Sequence, residues 1–246
     1  MEVANTHAER HSAYAGSVDD WRRFLSCWYR EHKERCEKDP DRRRAESLIK
    51  RDVLAEPPAL SVDAILDEIK TQEVRLGLAL PRSYVDFVTA YYPIYHADQS
   101  APHKICGREL LHVGEIDRIE NVWNGWILPE ARGFDASDRE YFVYGAEQLD
   151  LSSRSRYLDT SIALGMHDTD SPFMLVLHPE VLTADGEMEA EAFFRTGSAR
   201  APSFAEMMRT LYFSEVRRPP GSPAISQEMM RGTCADLLPM KGVWWK

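Results

Sequence analysis

The residues best suited by type and spacing to do chemistry lie in Asp185-Gly186-Glu187-Met188-Glu189-Ala190-Glu191. Asp-Gly is a turn dipeptide, and the alternating residues after it run into Phe193-Phe194, which reads as a strand. A strand's period of two sets Glu187, Glu189 and Glu191 on one face and Met188, Ala190 and Ala192 on the other. Three carboxylates in a row repel one another and add nothing to an apolar core, so the expectation is a solvated face. A basic partner for that face is the alternative. Trp123 and Trp126, in Trp123-Asn124-Gly125-Trp126, are of the type most often found as interface anchors, with core and rim packing as the alternative.

Candidates for acid–base or metal chemistry are thinner. His167, Asp168 and Asp170 fall together in one polar stretch, but nearness in sequence does not place a substrate within hydrogen-bond reach. His103, Cys106 and His112 lack a fourth partner at any zinc spacing. No G-x-S-x-G elbow, H-E-x-x-H pair, phosphate loop or dinucleotide fingerprint occurs. The chain therefore reads as non-enzymatic, without cofactor or metal. Cys27, Cys36, Cys106 and Cys234 show no metal-type or redox pairing and are expected to be reduced, buried thiols.

The formal charge of −10 argues against nucleic acid as the main partner, because that binding rests on lysine and arginine neutralising phosphates. Residues 1–58 carry 12 basic and 12 acidic side chains, so the whole imbalance of 30 against 40 falls in residues 59–246. No apolar run is long enough to cross a bilayer, and the first 16 residues contain no apolar stretch like a secretory signal, which points to the cytoplasm and away from a membrane.

Several elements must position these groups. After a polar start at 1–17, Trp21, Phe24, Leu25, Trp28 and Tyr29 make an aromatic stripe at helical spacing, expected to dock on the main domain, with partner binding as the alternative. A second helix follows Asp39-Pro40-Asp41, and Glu56-Pro57-Pro58 marks a boundary. Ser61 then caps a helix that Gly77 ends, and Pro81 opens another carrying Tyr84, Phe87, Val88 and Tyr91, which Pro93 is expected to end. Tyr141–Tyr144 and Phe173–Leu177 read as strands, the latter buried on both faces, with a loop after His178-Pro179. Ser203 caps a last helix through Tyr212, and Pro219-Pro220-Gly221 begins a linker and tail.

Glu73, Leu76, Gly77, Leu80, Pro81, Tyr84 and Phe87 together read E-x-x-L-G-x-x-L-P-x-x-Y-x-x-F. This resembles the opening signature of the SUKH superfamily, which includes fungal cell-wall-synthesis regulators and many bacterial immunity proteins. Ser203, Phe204 and Glu206 resemble the start of its closing helix, so the likeness spans about residues 60–215. After the aromatic helix the chain departs from the family pattern, with Tyr91-Tyr92-Pro93 in place of a glycine-containing turn.

The expected fold is α+β: a mixed or antiparallel sheet packed against helices in residues 59–216, a helical extension in 1–58, and a linker and tail in 217–246. The resemblance implies an immunity protein that blocks a cognate protein toxin by stoichiometric occlusion. Asp185, Glu187, Glu189, Glu191, Trp123 and Trp126 are the expected toxin-binding residues. Replacing the three glutamates with lysine is then expected to slow association while leaving the fold intact. A non-enzymatic scaffold, binding through the amino-terminal helix or the tail, is the alternative, and deletion of residues 1–56 is expected to separate the two.

Overall fold

A computed structural model describes residues 13–38, 61–97, 109–122, 135–148, 154–166, 173–194, 197–217 and 227–241. The fold is α+β, and its helical hairpin forms as local chemistry dictates. Ser61 caps α2 (Val62–Leu76), its hydroxyl accepting from the Ala64 amide at 3.2 Å. Gly77 ends the helix at φ 70°, the left-handed region that favours glycine, and its N–H donates to the Glu73 carbonyl. The Glu73 carboxylate accepts from the Leu80 amide at 2.8 Å, pinning the link ahead of Pro81. Next comes α3 (Arg82–Ala97), which buries Tyr84, Phe87, Val88 and Tyr91. Pro93 does not end α3. A proline deletes one N–H from the ladder, and here the buried turn ahead of it carries the helix through.

The sheet is antiparallel, in the order β2-β4-β5-β6-β7, with β3 pairing on β4 as well. Its strands are β2 (Glu109–Leu110), β3 (Asp117–Arg118), β4 (Ile162–Met166), β5 (Phe173–Leu182), β6 (Met188–Phe194) and β7 (Gly197–Ala201). Instead of ending in a loop at His178-Pro179, β5 continues to Leu182, and the register against β6 shifts between His178 and Leu182. That irregularity accommodates a proline that cannot donate to a ladder. Ser203 then caps α7 (Phe204–Tyr212), its hydroxyl accepting from the Glu206 amide at 3.2 Å.

The helix α1 (Val18–Lys38) belongs to the same core as the sheet. Trp21, Phe24, Leu25 and Trp28 are fully buried, and the Trp21 ring lies 5.1 Å from Phe87 and 5.8 Å from Phe204. Each such side chain contributes about 1.5–3 kcal/mol by leaving water. The carboxy-terminal segment joins too. Met230, Cys234, Ala235 and Leu238, which follow or end α8 (Gln227–Met230), enter the core, and β8 (Met240–Lys241) pairs antiparallel with β1 (Ala13–Tyr14). The described parts of 1–58 and 217–246 therefore pack as one body with residues 59–216. Residues 39–58, where a second helix is expected, lie outside the described residues.

Cys27 and Cys234 are joined in a disulfide across 207 residues, with Cα atoms 5.7 Å apart. This corrects the expectation of reduced thiols, since only the fold brings these two positions together. Cys36 is the free cysteine among the described residues.

The helices α1, α2, α3 and α7 cover one face of the sheet. On the other, α4 (Ile119–Val122), α5 (Asp138–Tyr141) and α6 (Ser155–Leu158) lie over a small second core of Ile119, Leu158, Met174, Val176 and Phe193. The segment Tyr141–Tyr144 is not a strand. Ser137 and Glu140 form a capping box, with the Glu140 carboxylate accepting from the Ser137 amide at 3.0 Å, and this turns Asp138–Tyr141 into a helical turn.

Candidate functional site

The alternation of β6 holds for Glu189 and Glu191, but the face they share is roofed over. His178 of β5 stands opposite Glu189, and Arg200 of β7 stands opposite Glu191. The hydrogen bonds run along the diagonals of this square: His178 Nε2 to Glu191 Oε2 at 2.9 Å and Arg200 Nη1 to Glu189 Oε2 at 3.4 Å. The roof adds two phenols, because Tyr141 donates to Glu189 Oε1 and Tyr144 donates to Glu189 Oε2 at 2.6 Å. The Arg200 guanidinium lies 3.9 Å from the centre of the Tyr141 ring, and Arg154 lies 4.8 Å from the same centre. Arg154 in turn donates to the Ala136 carbonyl at 2.8 Å and pairs with Asp138, which closes the roof.

Charge in this square is balanced by protonation of His178. Both ring nitrogens face acceptors, Nδ1 the Tyr157 carbonyl at 3.2 Å and Nε2 the Glu191 carboxylate, which is the pattern of an imidazolium. Burial works against that charge, but the bond to Glu191 and the charges of Glu191 and Glu189 outweigh it, and the imidazole pKa is held above its ordinary value. Burial likewise opposes the Glu191 carboxylate, yet His178 and Arg200 hold its pKa below the usual value. Burial and the Glu189 charge push both tyrosines upward, so each remains a donor.

His178, Glu189, Glu191, Arg200 and Tyr141 are each at most 2% exposed. They are enclosed and bonded chiefly to one another, and none of them presents an exposed group to a ligand. The network fastens the roof to the sheet, so Glu189 and Glu191 are framework residues, not the exposed toxin-binding row expected from the sequence. Two enclosed carboxylates cost far too much to bury bare; the matching cations come from the flanking strands β5 and β7, and the phenols from Tyr141 and Tyr144, 48 and 45 residues before Glu189 in the chain.

Glu187 does not join that face. It precedes β6 and turns to the amino terminus of α3, where it accepts from the Ser83 amide at 2.9 Å and from the Ser83 hydroxyl. A carboxylate there complements the helix dipole and satisfies an otherwise unpaired N–H. Burial nevertheless raises its pKa against those bonds. Asp185 is exposed in the turn and accepts from Thr183 Oγ1 at 2.6 Å. Trp123, Trp126, His103, Cys106, His167, Asp168 and Asp170 lie outside the described residues. His112 Nδ1 accepts from the Gly114 amide at 3.3 Å and sits 3.4 Å from a Glu68 oxygen.

Two further groupings carry reactive atoms. Cys36 Sγ lies 3.5 Å from His32 Nε2, and His32 Nδ1 lies 2.9 Å from Glu215 Oε1, the order of a thiol, a base and an orienting acid. The Cys36 side chain is buried, so no nucleophile faces solvent. Ligand atoms of Cys27, Glu31 and Cys234 lie within 4.8 Å of one another, as a metal site requires. Both sulfurs are committed to the disulfide, and the Glu31 carboxylate accepts from Tyr212 and Arg217, so these atoms are already engaged.

Sequence reasoning did not identify His178, Arg200, Tyr141 and Tyr144 as partners of the glutamates. The Ser137-x-x-Glu140 capping box was the local signal for the roof. The aromatic stripe of α1 is an internal face, so a scaffold that binds through it loses its surface. No family model, curated protein or solved structure matches the chain.

Proposed function

We propose that the protein is an immunity protein that binds a cognate protein toxin and blocks it stoichiometrically, without catalysis or cofactor. The observation that carries this reading is the hairpin from Glu73 to Phe87. Gly77 takes the left-handed turn, Glu73 holds the Leu80 amide, Leu80 and Pro81 are buried in the link, and Tyr84 and Phe87 enter the core. The residues that resemble the SUKH signature thus all have structural work, and the antiparallel sheet and the Ser203-capped α7 follow in the order that resemblance implies.

With Glu187, Glu189 and Glu191 engaged internally, recognition of a basic toxin such as a nuclease falls to exposed carboxylates. Asp185 and Glu180 at the β5–β6 end, and Asp135, Glu140, Glu147 and Asp159 on the roof, form that set. The same reading puts the protein with its toxin in the cytoplasm, where a disulfide is normally one that opens and closes.

The test is a pull-down of the tagged full chain from its native cells, read by mass spectrometry, with growth rescue of cells that express the captured partner. One stoichiometric partner whose toxicity is neutralised is the expected result. Glu180→Lys with Asp185→Lys should then slow association most strongly at low salt. Several substoichiometric partners and no rescue would overturn the reading in favour of a scaffold.

A further inference from the structure

We propose that the Cys27–Cys234 bond is a thiol–disulfide exchange site, opened by an external dithiol through Cys27, that fastens the carboxy-terminal segment 227–241 to α1. The two sulfurs are unequal. Cys234 is 2% exposed, whereas Cys27 is only half-buried, so an incoming thiolate reaches Cys27 first. An exposed Arg30, one turn further along α1, places Nη2 3.3 Å from Cys27 Sγ. A guanidinium there attracts the anionic attacker and favours the Cys27 thiolate whenever the bond re-forms. Glu31, whose carboxylate lies within 4.8 Å of both sulfurs, is held by Arg217 and Tyr212, which limits its opposing charge.

The exchange balances as follows. One thiolate of the dithiol attacks Cys27 Sγ, the S–S bond breaks, and Cys234 Sγ leaves with the electron pair and takes a proton. The second thiol of the reductant attacks the mixed disulfide and releases Cys27. The products are two protein thiols and the oxidised, cyclic form of the dithiol, with two electrons passed to the protein.

What the bond holds is a short segment that enters the core through a few side chains. Two residue pairs join β8 to β1, the Ala15 amide donates to the Pro239 carbonyl at 3.0 Å, the Cys234 amide donates to Tyr212 Oη at 3.3 Å, and Met230, Ala235 and Leu238 are buried, with Met229, Leu237 and Met240 packed beside them. A cross-link within a segment this short sets how often it opens, because without the bond the segment rejoins α1 only as one end of a long closed loop. Opening it uncovers part of the α1 and α7 surface that the segment now covers. This does not depend on the identity of any toxin.

The experiment uses the full chain, purified without reductant and alkylated under acid quench, then titrated with dithiothreitol under native conditions. Peptide mapping should find Cys27 and Cys234 cross-linked at the outset and both alkylated after the titration. Hydrogen exchange across 227–241 should rise about tenfold or more on reduction, while exchange in β5 and β6 stays unchanged. Arg30→Ala should slow reduction by about threefold or more, which a purely structural disulfide would not show. Thiols that are free in the untreated protein, a bond that resists native reduction, or unchanged exchange in 227–241 would each overturn the proposal. Cys27→Ser offers a second check, since its segment should exchange like that of the reduced wild type and ignore dithiothreitol.

Discussion

Replacing Glu191 separates a framework carboxylate from a surface one by a wide margin. On a solvated strand face, Glu191→Ala would change stability by no more than about 0.5 kcal/mol. In the structure the side chain is 1% exposed and bonded to His178 Nε2 at 2.9 Å, with Arg200 directly across the strand pair. Removing one partner of a buried pair strands the other charge and costs about 3–5 kcal/mol, a large part of the roughly 5–15 kcal/mol that holds a domain together. Urea unfolding followed by far-ultraviolet circular dichroism, extrapolated linearly to water, measures the loss. Glu191→Gln keeps an acceptor for the imidazole and should lose less than the alanine variant. A double-mutant cycle with His178→Ala should return a coupling of about 1–3 kcal/mol, because the two groups stabilise each other's charge. An alanine variant within about 1 kcal/mol of wild type, or strict additivity with His178→Ala, would refute the argument.

Other consequences follow from the same contacts. Lysine at 187, 189 and 191 together should abolish folding, seen as lost near-ultraviolet dichroism and aggregation, because two of the amines would be enclosed with His178 and Arg200 and the third set against the α3 amino terminus; a folded triple variant would contradict the buried placement. The His178 pKa is raised above 6.5 in the folded protein, so its stabilisation is complete below 6.5 and is lost as pH rises through the folded value. The gap in urea midpoint between wild type and His178→Ala should therefore shrink as the pH is raised above 6.5, and a gap that stays constant across the alkaline range would count against the imidazolium. Gly77→Ala meets no atom within 4 Å but must hold φ 70°, so it should cost about 1 kcal/mol, with Gly77→Asn costing clearly less. Deleting residues 1–56 removes four fully buried side chains of α1, so the remainder should expose apolar dye-binding surface instead of yielding a folded domain that keeps its partner.

The hairpin was legible because each of its signals is local. A capping serine, a glycine at a helix end and a proline at a helix start act within a few residues, and the sequence places them without help from the rest of the chain. The same holds for the Ser203 cap and for the apolar β5 run. Pro93 and Pro179 misled for the converse reason: the rule that proline ends an element is local, while the packing that carries α3 past Pro93 and the register shift that absorbs Pro179 are not. The Cys27–Cys234 bond depends on a contact across 207 residues that no spacing rule reaches.

The glutamates show where alternation stops being informative. Period two decides which side chains share a face, and it did so correctly for Glu189 and Glu191; whether that face meets water depends on residues 135–148 and 154–158, which arrive from elsewhere. Yet three neighbouring strands each carry an ionisable residue out of step with apolar or small neighbours: His178 after Leu175-Val176-Leu177, Glu189 and Glu191 between Met188, Ala190 and Ala192, and Arg200 between two alanines. A surface face has no reason to alternate with alanine and leucine so tightly that both faces end up small or apolar. Opposite charges at matching alternation on adjacent strands, with tyrosines in the connecting segment, are what a closed electrostatic square needs. The pairing of His178 with Glu189 and Glu191, and of Arg200 with both, follows once the strands are laid antiparallel. The physical content of that pattern is neutrality: two carboxylates can be enclosed together only where two cations and fixed donors are enclosed with them.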